Sequence, residues 1–485
     1  MFENLLGEQL SSWIPSVESG GKMMSDLLDA CDKAQVKIDD KEIKQSIKVL
    51  NAMQDYYKKA RDNLDIKIDD TFDTYRTHGI VHVLDVFTQS LNTYGAFQSA
   101  GAENLSLNSI LLASVMHDTG MSGGKQLAVY LDNEELKIDI LDEVQKSGKN
   151  VRESHSYNSG DIILKNADYL QKFYSDEEIA EAALLAFAHS KSNSGLKSLD
   201  SEAGWSFAIK ALAQGHQKNK STFDFLGILE KSGIIKGLSS QMRKVEIKSP
   251  DYYLGELNPN EKNMVSKEKG GTKKGKIQIF NFGDGIIKKL SYEALGVRIG
   301  DALTNNDNAG TNQYGMKIVD VLSDCSKQKT IKELAKIYNT SEENLIKTII
   351  DSDEKLTKAA IKESENVTYK VQTNDGTYKD YTKSQPFVCG EANQTYEINN
   401  NGKDVIVTVK VKDTNKLPLC TLFAIDERLG ELETKGSSIF YDDGSRLKLE
   451  IEIDPSADES IQKVYEQYAQ RAGEKIEVNI KYKDW

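Results

Sequence analysis

At 485 residues, with 39% hydrophobic and 28% charged side chains, the chain has room for about three domains and the composition of a globular protein, which excludes a disordered or fibrous one. Its 75 acidic and 62 basic side chains leave a formal charge of −13, which argues against general nucleic-acid binding, since affinity for the phosphate backbone rests on positive charge. No apolar run approaches the ~20 residues of a membrane-spanning helix, MFENLLGEQLSSW has no basic segment leading into an apolar one, and the dispersed Cys31, Cys325, Cys389 and Cys420 fit a reducing, cytoplasmic setting.

Residues 1–60 read as helix. DLLDACDKAQVKI and KEIKQSIKVLNAMQDYYKKARDNL place apolar residues at three- and four-residue spacing with charges between, an N-terminal segment expected to pack on the helical body downstream. Helical spacing continues to about residue 190. SLNSILLASVMH is apolar enough for a buried core helix, and in SDEEIAEAALLAFAH the residues Ser175 and Glu178 have the spacing of a capping box. Residues 192–295 break the rhythm with a helical stretch at EAGWSFAIKALAQG, the Gly/Lys-rich KEKGGTKKGK and the strand-like KIQIFNF. That density of turn formers predicts an inserted, exposed loop region. Helix returns at YEALGVRIGDALTNN and at TIKELAKIYNTSEENLIKTII, read as two ordinary packed helices because the neighbouring DSDEKL adds acid. From about residue 366, DVIVTVKVKD, SSIFYDD and RLKLEIEID alternate polar and apolar residues between turn signals, the pattern of antiparallel hairpins, with one helix at SADESIQKVYEQYAQRA. The expected fold is mainly α: a helical body over 61–365, all helix outside its insert at 192–295, and a smaller C-terminal α+β module over 366–485.

Six histidines are present, and five of them (His78, His82, His117, His155 and His189) fall at predicted helices or helix ends. His78 and His82 are four apart, so both project from one helix face. His117 is followed by Asp118 where an apolar helix meets the glycine turn of ASVMHDTGMSGG. His155 is expected to open one helix and His189 to close another, whereas His216, in QGHQKNK, reads as a surface residue. Neutral imidazole is the commonest protein ligand for transition metals, and helix bundles commonly build two-metal sites from imidazoles and carboxylates. The clustered five therefore predict metal binding.

These residues resemble the HD superfamily of metal-dependent phosphohydrolases, whose signature is a His, a HisAsp doublet on a later helix and a distant Asp. The matching residues are His82, His117–Asp118 and Asp301 in VRIGDALTNN. His155 and His189 are similar to the extra ligands of its binuclear subgroup. HSYNSGDIIL resembles the HPxxGxxIL segment of the HD-GYP cyclic dinucleotide phosphodiesterases, and RIGDALT resembles a shortened form of their terminal element. THGIVHVLDV looks like the YHNxxHAxDV segment of cyclic-nucleotide phosphodiesterases. The resemblance spans roughly residues 70–310 without the insert. It departs from the HD-GYP pattern in lacking the GYP motif and in carrying Ser190 where that subgroup has a second His.

The resemblance implies a helical HD-domain bundle holding two divalent transition ions: Mn, Fe, Co or Ni, with Zn or Mg also admissible. Asp118 would bridge the ions, with His82, His117 and Asp301 on one and His155 and His189 on the other. His78 would be the general acid, a role suited to a group titrating near ~6.5. Arg298, Lys191 and Lys125 are candidate contacts to an anionic, phosphate-containing small molecule, Arg298 foremost because its fork suits bidentate phosphate contact. The expected activity is hydrolysis of a nucleotide or other phosphate ester, with no membrane partner and with room for an oligomer. Two alternatives stay open. One is a di-iron HD-fold oxygenase, against which stands Met121 where such oxygenases carry a lysine; the other is a non-catalytic sensor of nucleotide or metal.

Overall fold

The computed structural model describes residues 26–37, 40–64, 80–99, 101–141, 148–190, 201–219, 222–249, 271–302, 330–337, 339–351, 367–372, 378–383, 394–400, 405–411, 447–473 and 476–483, with the pairs 252–253, 267–268, 433–434 and 437–438. They fall into two compact units, one within Met1–Ile66 and His78–Thr304 and the other within Asn305–Trp485. The fold is mainly α. No helix among the described residues is long and apolar enough to cross a membrane.

The first unit opens with α1 (residues 26–33), α2 (Lys41–Ala52) and α3 (Gln54–Leu64). Its core is then built from α4 (Ile80–Ser99), α5 (Leu107–Met116), α6 (Gly148–Lys165), α7 (Asp176–Ala188), α8 (Glu202–Lys218), the short α9 (Phe225–Lys231) and α10 (Ile286–Ala302). Two of these helices are apolar almost all round: every residue from Ser109 to Met116 of α5 and from Ile179 to Ala188 of α7 is buried. Such helices belong at the centre of a core. Accordingly, α5 packs on α2, α4 and α7, while α7 also packs on α6 and α10. Each of the two has a defined start. The Ser106 Oγ accepts the Ser109 N–H at 3.2 Å, and Ser175 with Glu178 forms the capping box expected from the sequence. Caps of this kind contribute about 1 kcal/mol each. With both starts fixed, the C-terminal caps fall on His117 and His189.

The body is not all helix. After the turn next to His117–Asp118 come β1 (Gln126–Asp132) and β2 (Glu135–Leu141), an antiparallel hairpin closed at Asn133 and Glu134. Both turn residues have positive φ, the hand that matches strand twist in a two-residue hairpin. The sequence hid β1 because its first four residues are buried on both faces and so show no two-residue alternation. The stretch 192–295 also departs from the expected exposed loop. Its helix α8 is buried through Trp205, Phe207 and Ile209, and β3 (Ile235–Ser249) pairs antiparallel with β4 (Gly271–Phe282). The resulting sheet has the order β1-β2-β4-β3. Ile277, Ile279 and Phe280 of β4 are buried, and Ser206 of α8 accepts the Phe280 N–H at 2.9 Å. The lysine-rich half of β4 is the more exposed half; its glycines and lysines read as a loop, but ladder hydrogen bonds to β3 outweigh their weak strand propensity.

In the second unit, α11 (Ile331–Ile337) and α12 (residues 342–351) precede the strands. The division after Thr304 thus lies upstream of residue 366, where the change in hydrophobic period puts it. Arg471 forms an ion pair with Asp351 at 2.7 Å, joining α12 to α13 (Glu459–Ala472). Strands β5 (Val367–Gln372) and β6 (Tyr378–Lys383) form a hairpin. A four-stranded sheet holds β7 (Gln394–Asn400), β8 (Val405–Val411), β9 (Leu447–Ile453) and β10 (Glu477–Tyr482) in the order β10-β9-β8-β7. Only β7–β8 is antiparallel; β8–β9 and β9–β10 are parallel, not the hairpins expected. Parallel neighbours need a crossover, and α13 supplies it between β9 and β10. Its buried Ile461, Val464, Tyr465, Tyr468 and Ala472 recur at helical spacing, while Leu449, Ile451 and Ile453 of β9 alternate.

Candidate metal centre

Four helices and one turn bring the histidines together. His82 comes from α4, His117 from the end of α5, His155 from within α6 and His189 from the end of α7. Asp118 follows His117 directly, and Asp301 lies in the last turn of α10. His155 therefore sits mid-helix rather than opening one, because α6 begins at Gly148.

The Asp118 carboxylate lies between two sets of imidazoles. Its Oδ2 is 3.1 Å from Nε2 of His82 and 3.1 Å from Nε2 of His117. Its Oδ1 is 3.7 Å from Nε2 of both His155 and His189. Within the first set, the two Nε2 atoms are 3.3 Å apart and Asp301 Oδ1 is 3.3 Å from His82 Nε2. Within the second, the two Nε2 atoms are 3.0 Å apart. Ligand atoms bound about 2.1 Å from one ion in tetrahedral array stand roughly 3.4 Å from one another. Each set, His82–His117–Asp118 and Asp118–His155–His189, thus has the spacing of donors around a single cation.

The hydrogen bonds behind two of the rings explain their orientation. Nδ1 of His117 lies 2.7 Å from the Ser114 carbonyl and Nδ1 of His189 lies 2.6 Å from the Ala186 carbonyl. A carbonyl only accepts, so both Nδ1 atoms carry the proton, and the Nε2 lone pair of each neutral ring faces the cluster. This is the usual way a protein fixes a metal-binding imidazole. Both contacts reach back three residues because the histidines cap helices whose last carbonyls lack an internal partner.

Burial and charge act differently on the two sets. Burial pushes the His82 imidazole down, but Asp118 and Asp301 outweigh it and hold it at about 9. His117 is likewise depressed by burial yet raised overall, chiefly by Asp118. His189 is held well below the usual range by burial and then by the neighbouring His155 and His117. The carboxyl of Asp301 is raised by burial but held low overall by its contacts with His82 and His117. The cluster thus draws positive charge toward the His82 side. Asp301 keeps 24% of its side chain exposed, whereas Asp118 keeps 2%. Asp301 is thus the more exposed of the two carboxylates.

Of the supporting residues, only the glycine turn had a signal in the sequence. Ser159 of α6 accepts the Gly120 N–H at 2.9 Å and donates to the His117 carbonyl, joining α6 to the HisAsp turn. Gly120 must be glycine, since a Cβ there would overlap the His155 carbonyl oxygen. Tyr57 of α3 is buried and donates to the Val115 carbonyl in the last turn of α5. An internal Ser and an aromatic helix residue are too common to single out from sequence.

The remaining candidates take structural places around the cluster. Arg298 is fully buried and its Nε donates to the Ala188 carbonyl at 2.6 Å, holding the end of α7 beside His189. Lys125 donates to the Gly215 carbonyl at 3.3 Å and to Asn219 Oδ1, tying the glycine turn to the end of α8. Met121 is buried. His216 is also buried, not at the surface, with its Nε2 donating to the Phe223 carbonyl at 2.6 Å and its ring edge-on to Phe223, which lies just before α9. His78 and Lys191 lie outside the described residues. Compared with known proteins, the chain matches no family model, no curated protein and no solved structure.

Proposed function

We propose that the protein is a metal-dependent phosphohydrolase or phosphodiesterase of the HD type, acting on a nucleotide or other phosphate ester. The observation that carries the reading is Asp118, whose two carboxylate oxygens face separate pairs of imidazole nitrogens. Two divalent ions held there would supply Lewis acidity to phosphate oxygens and lower the pKa of a water from ~15.7 toward ~7. In this reading His82, His117 and Asp301 hold one ion, His155 and His189 the other, and Asp118 both. The buried rings exclude bulk water, so the substrate phosphate would enter on the Asp301 side. His78, four residues before His82, is the proposed general acid that protonates the leaving oxygen. Lys191 is the proposed contact to the anionic substrate, while Lys125 and Arg298 act through the turn and helix end that they hold.

The test is hydrolysis of bis(p-nitrophenyl) phosphate and a panel of nucleotides by Mn-loaded protein under argon. Turnover without dioxygen is expected. Turnover that only iron supports, with consumption of dioxygen, would overturn the hydrolytic reading in favour of the oxygenase.

A further inference from the structure

Three residues of α6 face the turn that follows His117–Asp118. At 3.6 residues per turn, Asn158 and Ser159 point about 60° and 40° to either side of His155. His155 joins the histidine cluster, and Ser159 meets the start of the turn at Gly120. Asn158 meets its end. A Cβ at Gly124 would lie 2.7 Å from Asn158 Oδ1 and 3.3 Å from its Nδ2, so the glycine, with φ at +156°, keeps the amide uncovered. The turn itself is held at both ends. Gly120 N–H donates to Ser159 Oγ at 2.9 Å, and Lys125 donates to the Gly215 carbonyl and to Asn219.

The Asn158 amide stands beside this fixed backbone without using it. Its residue is 3% exposed and makes no hydrogen bond among the described residues. Unlike the unpartnered amide oxygens of Gln45 and Asn108, it is not sealed from solvent. The amide of Asn219, by contrast, is spent on both sides: its Nδ2 donates to Asp161 at 2.8 Å and its Oδ1 accepts from Lys125. A buried amide without a partner costs stability, and such groups are few enough in native proteins that each calls for a partner. Asn158 lies three residues beyond His155, about 4.5 Å along the helix axis, so a partner bound at the metal centre is within a turn of it. Lys125 and Arg298, cations that the sequence offered for contact with an anion, are tied to backbone carbonyls.

We propose that Asn158 is a substrate-binding residue of the metal centre, its side-chain amide donating a hydrogen bond to an oxygen of the phosphate that the ions hold. The assignment rests on the hydrolytic reading and adds a neutral donor to it. A side-chain amide fixed beside the site of negative charge stabilises that charge without reorganising.

The experiment compares Mn-loaded full-length protein with Asn158→Ala and Asn158→Asp, using calorimetric titration with inorganic phosphate and hydrolysis of bis(p-nitrophenyl) phosphate. Asn158→Ala should keep its metal content and its melting temperature, since the amide it removes has no partner. Its phosphate affinity should fall about ten- to hundred-fold, the range for a hydrogen bond to a charged group, and KM should rise by a similar factor. Asn158→Asp, of the same shape but with an anion in place of the donor, should lose at least as much. An active wild type together with an Asn158→Ala variant unchanged in phosphate affinity and KM would overturn this assignment alone. So would loss of metal from Asn158→Ala, which would make the residue a support for His155. A metal-loaded wild type that neither binds phosphate nor hydrolyses the ester would overturn the hydrolytic reading and this assignment with it.

Discussion

The helical body holds two buried polar clusters about two turns apart along the same helices. On α7, Glu181 precedes His189 by eight residues, and on α10, Glu293 precedes Asp301 by eight. The Glu181–Glu293 cluster carries its own cation: Lys289 pairs with Glu181 and lies 3.4 Å from Glu293. Its other partners are backbone and hydroxyl donors, with Ser106 N–H to Glu293 at 2.6 Å and Ser109 Oγ to Glu181 at 2.7 Å. The Asp118 cluster is instead faced by four imidazole nitrogens, two of them with lone pairs fixed inward by backbone carbonyls. One cluster carries its own cation and fastens α5 to α7 and α10. The other is a donor set that a cation would complete. Burial alone does not separate them, since both are nearly inaccessible to solvent; the type and aim of the facing atoms do.

The largest effect should follow from Asp118→Ala, which removes the carboxylate shared by both imidazole pairs. Bound metal and phosphate-ester hydrolysis should both fall to background, as read by elemental analysis and by a nitrophenyl ester assay, while the melting temperature of the metal-free protein changes little. In the other cluster the sensitive member is the cation. Lys289→Ala leaves the buried Glu181–Glu293 pair without its cation and should cost about 3–5 kcal/mol in urea unfolding, with no effect on metal content in the protein that remains folded. Equal metal loss in both variants would erase the distinction between the clusters.

A smaller effect is expected at Ser159, whose hydroxyl spans the Gly120 N–H and the His117 carbonyl. Ser159→Ala should weaken metal affinity about ten- to hundred-fold, the usual range for groups that position ligands, without changing the number of ions bound at saturation. Smallest is Glu293→Gln. Burial, and then the charge of Glu181, holds the Glu293 carboxyl well above the usual range. A carboxyl raised in the folded state contributes stability that is complete below its unfolded value, about 4.3, and is lost as pH rises through the folded one. Glutamine keeps the shape of the protonated acid. Wild-type stability relative to Glu293→Gln should therefore fall between pH 5 and pH 8, with the variant equal or better at pH 8. A variant clearly less stable at pH 8 would mean that Glu293 is ionised and paired there.

The metal cluster was far more legible in the sequence than the ion network. His117 and His189 stand where apolar helices stop, and with His82, His155 and the adjacent Asp118 they form a pattern that single core histidines do not explain. The HisAsp doublet and its glycine turn mark the same point. Glu181 lies in a run, DEEIAEAALLAFA, where one acid among alanines carries no sign of its partners, and only the three-dimensional packing of α7 shows it buried. The strands β1 and β2 were missed for a related reason: periodicity reports one-sided burial, and β1 starts with four residues buried on both sides. The β3–β4 pairing was hidden because glycines and lysines at one end of β4 signal a loop locally, while a non-local partner decides the outcome.

The central claim is that Asp118 and the four histidines form a two-ion site, and elemental analysis tests it most directly. Protein purified without chelator and reconstituted with Mn or Fe should retain about two ions per chain after gel filtration, and chelation should lower the melting temperature because the ions bind only the folded state. Retention of none, with a melting temperature indifferent to metal, would contradict the account.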